Sequence, residues 1–285
     1  MLSWQVGAVK ITRIQEMQVP IPAGPDGGFI AEATAPALRA IPWLYPNFVN
    51  EQDQMLLSIH ALLVEAPGLR LVVDTCVGND KPRGLTGGSP LATKFLEAFE
   101  EAGWTRDCVD AVICTHMHVD HVGWNTMLVG GKFVPTFPNA RYLLGRIEFE
   151  HWTAEGDEEQ QAILADSVQP ILDAGLAEFV GLDYVVSPNV RLVPTTGHTP
   201  GHVSVLIESD GETAIITGDM SHHPCQLAHP EWSPSFDSDK KAAAVTRARM
   251  FAEWADAEHL VIGTHYAEPT AGHIRRDGAA FRFET

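Results

Sequence analysis

Residues 115–121 read Thr-His-Met-His-Val-Asp-His, directly after an apolar run that ends in Val112-Ile113-Cys114. Four side chains able to ligate a metal (His116, His118, Asp120 and His121) fall within six positions. Imidazole and carboxylate donors suit zinc or a similar divalent ion. His116 and His118 are two apart and can converge on one ion, while Asp120 and His121 can serve a second. So dense a donor set needs a rigid scaffold that ends in a loop, which is what a buried strand followed by a turn provides.

Three further segments repeat that design. Thr195-Thr196-Gly197-His198-Thr199-Pro200-Gly201-His202 places a histidine in a Gly/Pro-rich turn after an expected strand. Ile215-Ile216-Thr217-Gly218-Asp219 ends an apolar strand in an aspartate, and Leu260-Val261-Ile262-Gly263-Thr264-His265 ends another in a histidine. Each segment alone is weak evidence, since a lone His or Asp at a strand end is commonly a capping or solvated residue. With the heptad their candidate ligands total five His and two Asp, His202 being left out, about what two ions with a shared carboxylate need.

On these residues, together with Asp74 in Leu71-Val72-Val73-Asp74-Thr75, the sequence resembles the metallo-β-lactamase-fold hydrolase superfamily over nearly its whole length. The resemblance implies an α/β fold, an αββα sandwich of two mixed sheets flanked by helices, formed by a single domain over 1–285. It implies that His116, His118 and His198 hold one metal, that Asp120, His121 and His265 hold the other, and that Asp219 bridges both. Asp74 then supports the heptad loop from outside the ligand set.

The chain has 285 residues, enough for a large core, with 45% hydrophobic and 20% charged residues, ordinary for a globular protein. Its net charge of −18, from 19 basic and 37 acidic residues, argues against nucleic acid or an anionic membrane as partner. No run reaches the length of a membrane span. The N-terminus shows no basic segment followed by an apolar stretch, and the four cysteines form no CxxC pair. The expected location is therefore the reducing cytoplasm.

Apolar runs ending in Gly, Pro or Asp predict strands over 58–64, 69–74, 110–114, 140–144, 190–193, 202–208, 213–217 and 259–262. Helices are expected over 90–103, 146–154, 158–174 and 239–256. The first would be capped by Ser89-Pro90 and end at Gly103.

Two divalent ions, zinc being the expected pair, can trap a bridging hydroxide that attacks an ester carbonyl or a phosphoryl centre. Asp120 is a candidate to exchange a proton with the nucleophile or leaving group. Within the superfamily, His118 separates this chain from flavodiiron-type members, which carry Glu there, and Asp219 separates it from class B β-lactamases, which lack a bridging aspartate. Arg275 and Arg276 are present, but not the added basic domain of glyoxalase II relatives. Acyl-homoserine lactonases place Tyr three residues after the bridging aspartate, whereas this chain has His222. Methyl-parathion-hydrolase-like proteins resemble it more closely there and through Pro234-Ser235-Phe236-Asp237 into an Ala/Arg-rich helix. His222 has two readings: a donor to the developing oxyanion or leaving group, or a supporting histidine. His202 is expected to pack behind His198, and His223 to be structural.

The expected function is hydrolysis of a carboxylic ester, a lactone or aryl ester first. The alternatives are a phosphotriester hydrolase, a glyoxalase II-like thioesterase and, remotely, a non-catalytic metal-binding module. Trp43 and Phe48 in the proline-broken loop 41–48, and Trp124 just after the heptad, are candidate pocket walls for a small, fairly apolar ester or lactone. Trp152 and Trp232 are expected to pack in the core or at a dimer interface. The family resemblance and the aromatic supply also admit a homodimer.

Overall fold

The computed structural model describes residues 1–285. The chain is a mixed α/β protein with two seven-stranded mixed sheets, a separate two-stranded hairpin and helices. It forms two compact units: unit 1 is Met1–Met17 with Ile59–Tyr184, and unit 2 is Gln18–Ser58 with Val185–Thr285.

The first sheet uses β1 (Ser3–Val6), β2 (Val9–Ile21), β3 (Met55–Ala66), β4 (Leu69–Val73) and β5 (Ala111–Ile113). After the hairpin β6 (Thr126–Val129) and β7 (Lys132–Pro135), it continues through β8 (Arg141–Gly145) and β9 (Ala177–Val180). The order is β1-β2-β3-β4-β5-β8-β9, and β4, β5, β8 and β9 run parallel. Parallel strands are covered on both faces and so read as continuous apolar runs. Accordingly, Leu71, Val72, Val73, Ala111, Val112, Ile113, Tyr142, Leu143 and Leu144 are all buried.

The second sheet runs in chain order: β10 (Val185–Ser187), β11 (Val190–Pro194), β12 (Val203–Ser209), β13 (Glu212–Ile216), β14 (Leu260–Ile262), β15 (Ala271–Asp277) and β16 (Ala280–Glu284). Only β13 and β14 pair in parallel there. Each unit has its own apolar core, built in unit 1 around Phe95, Phe99, Trp104, Trp124 and Phe137, and in unit 2 around Phe48, Phe251, Trp254, Tyr266 and Phe283.

All eight expected strands are present, with ends shifted by a few residues. The edge hairpins β1–β2 and β15–β16 were not foreseen. Their alternating polar positions, such as Phe281 and Phe283 buried beside exposed Arg282 and Glu284, give a weaker apolar signal.

The helix expected over 90–103 is corrected to Phe95–Glu101. Asn79 accepts the Thr93 N–H at 2.7 Å, and Leu91 bridges Asn79, so the segment before the helix is held against another loop. Gly103, in the left-handed region at φ +82°, does end that helix. The helix expected over 158–174 is interrupted by a π-turn over Leu164–Val168. Pro170 has no N–H for the Asp166 carbonyl four residues back, and the Thr126 hydroxyl donates to that carbonyl instead at 2.5 Å. No helix is long and apolar enough to cross a membrane.

Candidate metal centre

In unit 1, β4 and β5 lie parallel with Val73 opposite Ile113, so the residues that follow each strand emerge side by side. The Asp74 N–H donates to the Ile113 carbonyl at 2.9 Å. The Asp74 carboxylate accepts from the Thr115 N–H (2.8 Å), the Thr115 hydroxyl (2.9 Å) and His121 Nδ1 (2.9 Å). This buried aspartate therefore pins both ends of the heptad loop.

His121 Nδ1 is committed to Asp74, so its Nε2 is the nitrogen turned away, 3.5 Å from Asp120 Oδ1. Thr115 gives its hydroxyl hydrogen to Asp74, so His116 Nδ1 donates to Thr115 Oγ1 at 3.1 Å and presents Nε2. His116 Nε2 and His118 Nδ1 approach to 3.0 Å. Two nitrogens at zinc–imidazole distance on one tetrahedral ion would stand about 3.3 Å apart, so this pair has the spacing of shared ligation.

The loop behind them is tied down by Glu148, which accepts from the Met117 N–H at 3.3 Å and from Trp152 Nε1 at 2.5 Å. The Trp152 ring lies 5.2 Å from that of His118, so this tryptophan braces a candidate ligand as well as packing on the core. Gly123 has no room for a side chain, because a Cβ there would stand 1.9 Å from the Val77 carbonyl oxygen.

Unit 2 uses the same device. Ile216 pairs with Ile262 across the parallel strands β13 and β14, and Asp219 and His265 each follow three residues later. Asp219 divides its two oxygens: Oδ1 is 3.0 Å from His265 Nε2, and Oδ2 is 3.6 Å from His198 Nε2. His265 Nδ1 is bonded to the Ser58 carbonyl (3.0 Å) and His198 Nδ1 to Asp237 Oδ1 (2.9 Å). Both histidines thus present Nε2, the orientation that outer hydrogen bonds impose on metal-binding imidazoles.

His202 does lie behind His198, with ring centroids 5.7 Å apart. It also holds the bridging candidate: the Asp219 N–H donates to His202 Nε2 at 2.7 Å, and a Cβ on Gly218 would stand 2.6 Å from that nitrogen. His223 is structural. It is buried, its Nε2 bonds the Phe48 carbonyl, and burial lowers its pKa to about 4.

His222 Nε2 lies 3.0 Å from Asp219 Oδ2, but the angles do not make a hydrogen bond, and both ring nitrogens are buried without a hydrogen-bond partner.

Phe48 and Trp124, expected as pocket walls, are core side chains, which corrects that expectation. Phe48 is 2% exposed and packs edge-on to Tyr266 and Phe283. Trp124 is 4% exposed, stacks on Phe95, and donates Nε1 to Glu16 at 2.7 Å. Trp43 is half-buried against the unit 2 core, and Trp232 is buried in that core. Ser58 and Glu16 escaped the sequence reading because each acts across a long stretch of chain with no motif of its own, and the role of Asp237, visible only as part of the stretch 234–237, is set by a contact 39 residues away.

These donor sets fit divalent metal ions: His121, His198 and His265 each present a nitrogen opposite their anchor beside a carboxylate, and His116 presents one beside His118. Over residues 55–268 the chain matches the family described as the metallo-beta-lactamase superfamily, and it belongs to that superfamily. An N-acyl homoserine lactonase of Bacillus sp is 29% identical over 157 residues, covering 55% of this chain and 56% of the relative. A gamma-lactamase MBL2 of Gibberella moniliformis is 25% identical over 160 residues, covering 50% of this chain and 63% of the relative. The chain thus spans little more than half the length of the curated lactonases it matches. Among solved structures, hydrolase AbOPH of the beta lactamase superfamily superposes with a TM-score of 0.81 at 24% identity, over 99% of this chain and 96% of that one. AidC, a dizinc quorum-quenching lactonase in complex with a product, gives 0.78 at 22%, with the same coverage. At such identities the likeness is one of fold.

Proposed function

We propose that the chain is a dinuclear-metal hydrolase that cleaves a small carboxylic ester, a lactone or aryl ester first. His116, His118 and His198 would hold one ion and Asp120, His121 and His265 the other, with Asp219 shared and zinc the expected metal. The observation that carries this reading is the division of the Asp219 oxygens between His265 and His198, each histidine locked with Nε2 toward it. When bound, two such ions lower the pKa of water toward neutrality and polarise the oxygen under attack.

The chain's own residues do the rest. Asp120 exchanges the proton of the nucleophile or leaving group. His222 supplies a hydrogen bond to the oxyanion that develops on the substrate, a role suited to a buried imidazole with no hydrogen-bond partner of its own. The substrate is uncharged and fairly apolar. The glutathione-type thioesterase reading is disfavoured because Arg275 is paired with Glu258 and Glu284, and Arg276 with Asp256, in place of an open cationic cluster. Four free thiols favour a reducing, cytoplasmic setting.

The test is kcat/KM on zinc-loaded protein for a γ-lactone, an acyl-homoserine lactone, an aryl acetate, a β-lactam and a phosphotriester, with Asp219→Ala as blank. One ester or lactone exceeding the rest by about 10³-fold, roughly 4 kcal/mol of transition-state discrimination, establishes the class. Rates indistinguishable from the blank throughout refute the hydrolase reading.

A further inference from the structure

Beside His198 and His222 stands an aromatic pair that ligation does not explain. Phe236 is 45% exposed, yet its ring lies 5.1 Å from that of His222 and 5.9 Å from that of His198, edge-on to both buried imidazoles. Phe29 stacks on Phe236 at 5.5 Å and 25°, and reaches His222 at 5.9 Å. Isolated exposed apolar residues carry no message, but two stacked rings that meet buried candidate catalytic histidines form a surface for something apolar.

The pair is preorganised. The Ser235 N–H donates to the Phe29 carbonyl at 2.8 Å, which ties together the two segments that bear the rings. On the other side of Phe236, Asp237 is fixed by His198 at 2.9 Å and by Arg247 at 3.2 Å. Phe236 is therefore held between two anchored neighbours, and a phenyl ring loses little rotamer freedom on contact.

We infer that Phe29 and Phe236 are specificity-determining residues that hold the apolar acyl substituent of the substrate. The inference rests on the hydrolase reading for its substrate, but its geometry lies wholly in the aromatic pair.

The test measures two things on the zinc-loaded protein. The first is the kcat/KM ratio for 4-nitrophenyl octanoate over acetate, in wild type, Phe236→Ala, Phe29→Ala and Phe236→Leu. The second is calorimetric binding of octanoate and acetate to the same proteins. The expected result is a drop in the octanoate-to-acetate ratio of about tenfold or more in each alanine variant, with most of the ratio kept by Phe236→Leu, because apolar contact area sets the effect. Octanoate binding should weaken in parallel. If esters are turned over but both alanine variants keep the wild-type ratio, the inference falls and the hydrolase reading stands. If no ester is turned over but octanoate binds more tightly than acetate and Phe236→Ala removes the difference, the hydrolase reading falls and the inference stands. Equal binding of both acids in wild type overturns it outright.

Discussion

Asp237 Oδ1 stands 2.9 Å from His198 Nδ1, and both side chains are fully buried. The second oxygen of Asp237 is held at 3.2 Å by Arg247, itself buried in the helix Lys240–Asp256. A carboxylate 39 residues along the chain thus decides which nitrogen of His198 is presented. Removing such a partner typically lowers metal affinity by about 10–100-fold. Asp237→Ala is therefore expected to weaken zinc binding by that amount in a chelator competition titration. An unchanged affinity would show that His198 keeps its orientation without Asp237.

Asp74 satisfies three buried donors at once, and it sits in the left-handed region at φ +56°. Asparagine tolerates that backbone and keeps one acceptor oxygen, whereas alanine does neither. Asp74→Ala should cost about 3 kcal/mol of unfolding free energy, and Asp74→Asn clearly less. Denaturant titration of the two variants decides the matter, and equal losses would contradict this account.

Burial holds the His223 imidazole down at about 4, against an ordinary value of 6.5. Between those values the unfolded chain carries a proton that the folded chain lacks. The stability this histidine provides is complete above pH 6.5 and is lost as pH falls toward 4, at about 1.4 kcal/mol per pH unit. His223→Gln should flatten the dependence of unfolding free energy on pH in that window by about one proton. Urea titrations at pH 7, 6, 5 and 4.5 would expose an unaltered slope, which would rule the assignment out.

Removal of metal by a chelator is expected to abolish ester turnover and lower the thermal midpoint, since ions that bind only the folded chain stabilise it by mass action. Both effects should reverse on adding zinc. Asp219→Ala should lose at least about 10³-fold in kcat/KM and take up less metal by elemental analysis. Retention of two equivalents in that variant would show that Asp219 does not ligate.

The parts of this chain legible in one dimension share a physical cause. β4, β5, β13 and β14 are buried on both faces, so they read as apolar runs, and the residues that interrupt those runs, Asp74, His116, Asp219 and His265, are where the backbone reaches a loop. The candidate ligands were visible by type and spacing, because several donors for one ion must come from a few turns. The edge hairpins were not visible, because strands with one solvated face dilute the apolar signal. The helix expected over 90–103 starts later, at Phe95, because Ser89-Pro90 is only a local start signal, and Asn79 holds that segment through contacts the segment itself does not encode.

Aromatic residues show the limit most plainly. Trp124 and Phe48 belong to cores, Trp152 braces His118, and Phe236 stands over His198, yet each is simply an aromatic in a loop or helix when read along the chain. The sequence by itself determined the family, the strand-end design and the types of the candidate donor side chains, because these rest on residue type and short spacing. Only the tertiary structure decided which nitrogen of each histidine is turned outward, which carboxylate anchors it and which rings flank it. Those are set by hydrogen bonds and packing between segments far apart in the chain, where no local pattern records the partner.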